Sequence, residues 1–318
     1  MNPAAPASPR SAPTAHRLTS PWTPWLFLSP YLLVTLVFFV YPFIGAMRLA
    51  FFQTAGPRAR AWVGLDNFSF ILGDRDFHTA VKNTVTFALA NGLIMLPLSL
   101  GLALLLNSKR DRLKGFFRLV FFSPNVVGQI FVGIIFSVIF VPRYGLMNVF
   151  LQDLVGWGLE TRWLKTPELV MPAIIITNLW LYAGFNMVYF LAALQSVDES
   201  QVEAARIDGA GPLQVFWHVT LPAIKPVAVF VFVVSTINSF QLFELPFALL
   251  QADSNGNFKG PANSGYTIVG YLYDAAYGLG DLGLAAAVGW TLALIMLTVS
   301  VAQLKLSGSL REESGSSS

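Results

Sequence analysis

The chain has 318 residues, of which 55% are hydrophobic and only 12% charged, and its mean hydropathy is +0.61. A soluble chain carries about a quarter charged residues, and here the charge is missing from apolar runs long enough to span a bilayer, so a soluble domain is excluded and an all-α polytopic membrane protein is expected. A net charge of +3 suits loops facing an anionic leaflet, with no nucleic acid partner implied, and the lack of cysteine excludes disulfides, thiolate metal sites and cysteine nucleophiles.

Residues 1–20 are rich in Pro, Ala and Ser without periodicity and read as a disordered tail. The next apolar run starts too late and runs too long for a signal peptide. It reads as span one, from about Trp22 to Met47, with Trp22 and Trp25 as an interfacial belt and Pro30 and Pro42 as kinks. After Tyr41-Pro42 comes a loop containing Val63-Gly64-Leu65-Asp66-Asn67-Phe68, then Asn83-Thr84 at the mouth of span two, about Lys82 to Leu106. Asn67-Phe68-Ser69 has the form of a glycosylation sequon and is read as chance. Lys109, Arg110, Arg112, Lys114 and Arg118 form the densest basic cluster of the chain, which assigns that loop to the cytoplasm.

Span three is expected from about Phe116 to Val141, opening with Phe-Phe-Arg and Phe-Phe-Ser-Pro. The loop behind it balances Arg143, Arg162 and Lys165 against Asp153 and Glu160. Span four, about Glu168 to Gln195, carries Asn178, Tyr182, Asn186 and Tyr189 as one polar stripe. Span five, about Pro222 to Leu250, carries Ser235, Asn238, Gln241 and Glu244 at every third position. A Gly-, Asn- and Tyr-rich loop leads to span six, about Leu282 to Leu304, whose Ala285, Ala286, Ala287 and Gly289 allow close helix packing. The Ser/Gly-rich residues 307–318 read as a second disordered tail.

Between spans four and five lies a polar island at about 196–222. Asp198 and Gln201 suggest a capping-box start, Glu203 to Arg206 favour helix, and Gly209 stands where a glycine would end it. Pro212 suits the first position of a second short helix with Leu213, Phe216 and Trp217 on one side, closed by Pro222 and Pro226.

Glu203-Ala204-Ala205, Asp208-Gly209-Ala210 and Leu221-Pro222 together resemble the cytoplasmic coupling loop of bacterial ABC importer permeases, most closely the carbohydrate branch. Tyr41-Pro42, the loop around Asn67, Asn83-Thr84 and the start of span three are similar to the same family, so the resemblance covers residues 21–306. It implies six transmembrane helices, with the coupling loop docking on an ATPase subunit. The implied partners are a second permease subunit, two ATP-binding subunits, an extracytoplasmic solute-binding protein, a carbohydrate substrate and the lipid bilayer. With the basic loop and coupling loop inside, both termini are expected in the cytoplasm.

No Gly-x-x-x-x-Gly-Lys-Ser/Thr occurs, so no ATPase site of its own is expected, and no cofactor. His16, His78 and His218 lie in tails or loops by this reading, which leaves no basis for an intramembrane hydrolase. A self-sufficient carrier or channel is the remaining alternative, but it would have no use for a coupling loop. Asn186, Tyr189, Asn238, Gln241 and Glu244 are the candidates for a substrate pathway, against the plainer reading that amides glue helices. Glu244 is an acid inside a span, which costs about 2.5–3.5 kcal/mol on insertion scales unless it faces water or protein. A carboxylate there disfavours an anionic substrate and favours a neutral sugar.

Overall fold

The structure is a computed structural model, and it describes residues 22–56, 59–107, 113–156, 158–251 and 258–307. Both tails, apart from Ser307 at the end of the last helix, and Lys109, Arg110 and Arg112 of the basic cluster lie outside those residues. Helix α1, Thr23–Leu49, forms a unit largely by itself. It widens into a π-turn at Leu36–Val40 just before Tyr41-Pro42. The ring of Pro42 would collide with the carbonyl four residues back in a regular helix, and the wider turn relieves that collision.

The rest of the described chain is a second unit. It opens with an antiparallel hairpin, β1 (Phe52–Ala55) and β2 (Ala59–Trp62), which the sequence reading did not anticipate. Helix α2 is Asp66–Gly73 and α3 is Arg75–Leu106. Asp74 caps α3 by accepting the Asp76 N–H at 2.9 Å. The sequon asparagine is structural. The Asn67 side chain is buried and donates to the carbonyls of Ala50 and Phe52, both at 2.9 Å, pinning α2 under the hairpin.

The expected third span is not one helix. It is α4, Lys114–Val127, and α5, Gln129–Ile139, bent by 102° at Gly128. Gly128 has φ 86° and ψ 148°, a region essentially closed to other residues. A short helix α6, Leu146–Val155, occupies the following loop, where Arg143 pairs with Glu160 at 2.6 Å. Helix α7 is Pro167–Gln195, close to the expected span four.

Helix α8, Glu199–Ile207, is the first helix of the polar island. The expected second short helix is not separate. It runs into span five as one helix α9, Pro212–Phe240, and Pro222 is accommodated by a π-turn at Phe216–Thr220 rather than ending it. Span five in turn stops short of its expected end. It breaks after Phe240, and Glu244–Leu250 is a separate helix α10. The reading passed over Pro246, whose ring would strike the Leu242 carbonyl in a continuous helix. The break frees that carbonyl, and the Thr267 hydroxyl donates to it at 2.7 Å.

Thr267 also caps α11, Ile268–Tyr273, and Leu282–Ser307 forms α12. Counting α4 and α5 as one broken span, the described residues hold six candidate membrane spans, as expected. Helix α3 packs mainly on α7 and α9, and α5 packs on α10. The core falls into three apolar clusters, one including Tyr266, Tyr271 and Val288, one Phe140, Ile174 and Leu245, and one Met187, Phe190 and Ile224. Glycine is required where α4 meets α7, because a Cβ at Gly184 would overlap the Phe121 carbonyl. On α12 the required glycine is Gly283, set against the Phe52 carbonyl; the expected Gly289 has ordinary clearance.

Candidate functional site

The polar stripes of α7 and α9 meet at a cavity of about 280 Å³. Its wall includes Asn186 and Tyr189 from α7, Asn238 from α9, Gln241 from the break and Glu244 from the start of α10. The structure therefore brings the five candidate residues together, though not as expected. Spacing by three on one helix would spread Asn238 to Glu244 over about 120° of arc. Instead the chain leaves the helix at Gln241, and Glu244 faces the same space from the next helix.

Part of the wall is already satisfied. Asn178 donates to the Asn91 carbonyl oxygen at 3.0 Å, Asn91 to the Ser239 hydroxyl at 2.9 Å, and Ser239 to the Ser235 carbonyl at 2.7 Å. This chain ties α7, α3 and α9 together and acts as frame. By contrast, Asn186 is only 8% exposed, and its amide has no hydrogen-bond partner among the described residues. The Glu244 carboxylate is exposed to the cavity and likewise carries none. Glu244 is the only carboxylate on the wall, which has no Lys, Arg or His among the described residues. Phe87, Phe185, Tyr189 and Phe230 supply flat apolar faces. Open amide groups, flat rings and a single negative charge suit a neutral, hydroxyl-rich ligand.

The sequence reading missed Gln129 and Asn91. Gln129 is the first residue of α5 and donates its Nε2–H to the Tyr182 hydroxyl oxygen at 2.6 Å. A lone amide directly behind a glycine in an apolar run was the available signal.

The second candidate surface is α8 with its flanks. Asp198 caps α8 by accepting the Ser200 N–H at 2.9 Å, and the Ser200 hydroxyl, then that N–H, hold its carboxyl below the usual range. At the other end Gly209 has φ 83°. The Gly209 N–H reaches Arg206 O at 3.1 Å and the Ala210 N–H reaches Ala205 O at 3.0 Å, a Schellman ending that needs a left-handed residue at Gly209. Glu203, Ala204, Asp208 and Gly209 are exposed, and Ala205 and Ala210 are half-buried. Leu221 and Pro222 lie inside α9 behind the π-turn rather than in a loop. Ile207 is 85% exposed and Leu213 71%, an apolar surface at a turn full of polar backbone. Under α8, a cavity of about 720 Å³ is lined by Glu203, Arg206 and Arg118.

Residues 95–311 match the family described as binding-protein-dependent transport system inner membrane component. The arabinooligosaccharides transport system permease protein AraP of Bacillus subtilis is 38% identical over 91% of this chain and 90% of its own length. The lactose transport system permease protein LacF of Rhizobium radiobacter is 32% identical over 88% and 92%. A solved bacterial ABC transporter involved in the import of the acidic polysaccharide alginate has a chain with a TM-score of 0.77 and 25% identity, covering 90% of this chain and 95% of that one. With six candidate spans of which one is broken, a capped surface helix between spans four and five, and a family match over most of its length, the chain belongs to the inner-membrane permease components of binding-protein-dependent ABC importers.

Proposed function

We propose that this chain passes a neutral sugar through the cavity between α7, α9 and α10, with ATP hydrolysed on partner subunits. The observation that carries the proposal is the convergence of Asn186, Asn238, Gln241 and Glu244 on one aromatic-lined cavity from three separate elements. Helix glue would leave those groups paired with one another, as Asn91 and Asn178 are. Asn186 and Glu244 instead face the cavity with free capacity. A lone carboxylate repels uronates and sugar phosphates and accepts hydrogen bonds from the hydroxyls of neutral sugars.

The partners in this proposal are a second permease subunit, two ATP-binding subunits and an extracytoplasmic solute-binding protein. Support comes from the family's binding-protein dependence, from the sugar names of its relatives, and from a sequence without a phosphate-cradling motif. Glu203, Ala204, Ala205, Asp208, Gly209 and Ala210 form the surface offered to the ATPase, backed by Leu221 and Pro222. The basic loop and α8 lie in the cytoplasm, with both chain ends on that side.

The test uses the absence of native cysteine. In the assembled importer, saturating sugar-loaded binding protein should protect Val234→Cys, on the cavity wall, from a small thiol reagent. Glu244→Ala and Gln241→Ala should abolish import while the complex still assembles. Normal import by both variants without protection would move the substrate path elsewhere.

A further inference from the structure

The two halves of the broken span have different main seats, although α5 also touches α7 where Phe136 meets Trp180. Helix α4 lies against α7, with the Phe121 carbonyl over Gly184. Helix α5 lies against α10, where a Cβ at Gly133 would crowd Ala248 and the backbone of Leu245 and Leu249. Between the halves stands Gly128 with φ 86°, and a Cβ built on it would meet only Phe131, at 4.0 Å. The hinge has room around it, whereas the seats on either side of it have none. Glu244 begins α10, the helix on which α5 is mainly seated.

Across this joint runs the hydrogen bond from Gln129 Nε2 to the Tyr182 oxygen, 2.6 Å long, and both residues line the cavity. Because the Tyr182 oxygen accepts from Gln129, its own proton remains available to donate. The Gln129 carbonyl oxygen remains available to accept. The pair thus shows the cavity one donor, the Tyr182 hydroxyl proton, and one acceptor, the Gln129 carbonyl oxygen. That pattern matches a sugar hydroxyl, which both donates and accepts.

We propose that Gln129 and Tyr182 form a latch that senses substrate. A sugar hydroxyl entering the cavity donates to the Tyr182 oxygen in place of Gln129. The freed Gln129 amide donates to a second sugar oxygen, so no hydrogen bond is lost in the exchange. With the latch open, α5 and α10 turn together about Gly128, moving Glu244 relative to the amides of α7. Gln129 is a positioning residue here, holding the two halves of the cavity wall until a polyhydroxylated ligand replaces it. This rests on the cavity being the substrate path.

The test uses the importer reconstituted in nanodiscs with its permease partner, ATPase subunits and binding protein. The probe is whichever of a panel of arabino-, galacto- and gluco-oligosaccharides raises the melting temperature of the binding protein. Phe136→Cys on α5 and Trp180→Cys on α7, whose rings lie 5.3 Å apart across the joint, leave the latch intact, and a short bifunctional thiol reagent bridges them. Bridging should be fast in the resting complex and several-fold slower with sugar-loaded binding protein before ATP is added. A separate Gln129→Leu variant should raise basal ATP hydrolysis several-fold and flatten its stimulation by sugar. Bridging that ignores sugar overturns the latch, as does a Gln129→Leu variant with unchanged basal rate and stimulation. If Gln129→Leu fails to assemble, the bridging rates decide. Protection of Val234→Cys together with sugar-insensitive bridging removes the latch alone; loss of that protection removes the cavity reading itself.

Discussion

Asp281 and Thr54 meet across 227 positions of chain, and the contact fastens the hairpin to the start of α12. The Thr54 N–H and hydroxyl both donate to Asp281 Oδ1 at 3.1 Å. The same oxygen accepts the N–H groups of Gly283 and Leu284 at 3.0 Å, so one carboxylate caps a membrane helix and holds the loop laid over it. Asp281→Ala removes all four acceptor contacts. It should cost about 2 kcal/mol or somewhat more, at the upper end for a lost cap. Asp281→Asn keeps an acceptor oxygen and should cost less. The melting temperatures of the purified complexes check this ordering, and equal values for all three proteins would remove the pin.

Helix α7 touches α4 backbone to backbone at Gly184, whereas Gly289 on α12 has ordinary clearance to Leu272 at 3.4 Å. Gly184→Ala should therefore push α4 away and cost about 1–3 kcal/mol, the range for forced overpacking. Gly289→Ala should be neutral or stabilise by up to about 1 kcal/mol through helix propensity. Thermal unfolding of the two variants side by side distinguishes a required glycine from an incidental one. Similar losses in both would contradict the packing described.

The orientation has its own test, free of background because the chain has no cysteine. A cysteine at Ser108, in the basic loop outside the described residues, should resist an impermeant maleimide in intact cells and react once the membrane is opened. Labelling from outside would invert the topology. Every assignment of α8 to an ATPase would then fall.

Gly209 sits at φ 83°, where a β-branched residue is strained, and Glu203 is exposed on α8. Gly209→Val and Glu203→Lys should abolish sugar-stimulated ATP hydrolysis and weaken ATPase association while membrane insertion continues. Pull-down of the ATPase subunits and hydrolysis rates in proteoliposomes measure both effects. Wild-type rates in the two variants would refute the docking role.

At the end of the bundle that carries the hairpin, tertiary packing changes what side chains do. The Tyr266 hydroxyl donates to Asp274 at 3.1 Å while Lys259 pairs with the same carboxylate at 2.7 Å. Burial, then the charge of Asp274, pushes the Tyr266 phenol well above its usual range. Tyr271 is raised by burial first, then by its hydrogen bond to Asp74 and by the charge of that carboxylate. Nothing local in the sequence marks these tyrosines as neutral donors to carboxylates, since Tyr271 and Asp74 are 197 positions apart.

What the sequence determined by itself follows from local chemistry. Apolar runs longer than a bilayer is thick become helices wherever they sit, because backbone groups in hydrocarbon have no other partners. The start of α8 at Asp198, its end at Gly209 and the entry of α9 at Pro212 are likewise local, each set by one residue's caps or dihedral limits. The polar residues of spans four and five were visible as stripes for the same reason. What only the tertiary structure decided is where a span breaks and what the break is for. Gly128 and Pro246 each permit a break, but other prolines, such as Pro97 in α3, are carried inside intact helices. The difference at Leu242 is the Thr267 hydroxyl, 25 positions away, which takes the carbonyl the break exposes. A helix ends in a membrane only where a distant group can satisfy the backbone it leaves behind, and no local pattern records that group. The cavity depends on those breaks, since Gln129, Gln241 and Glu244 all stand at or beside them.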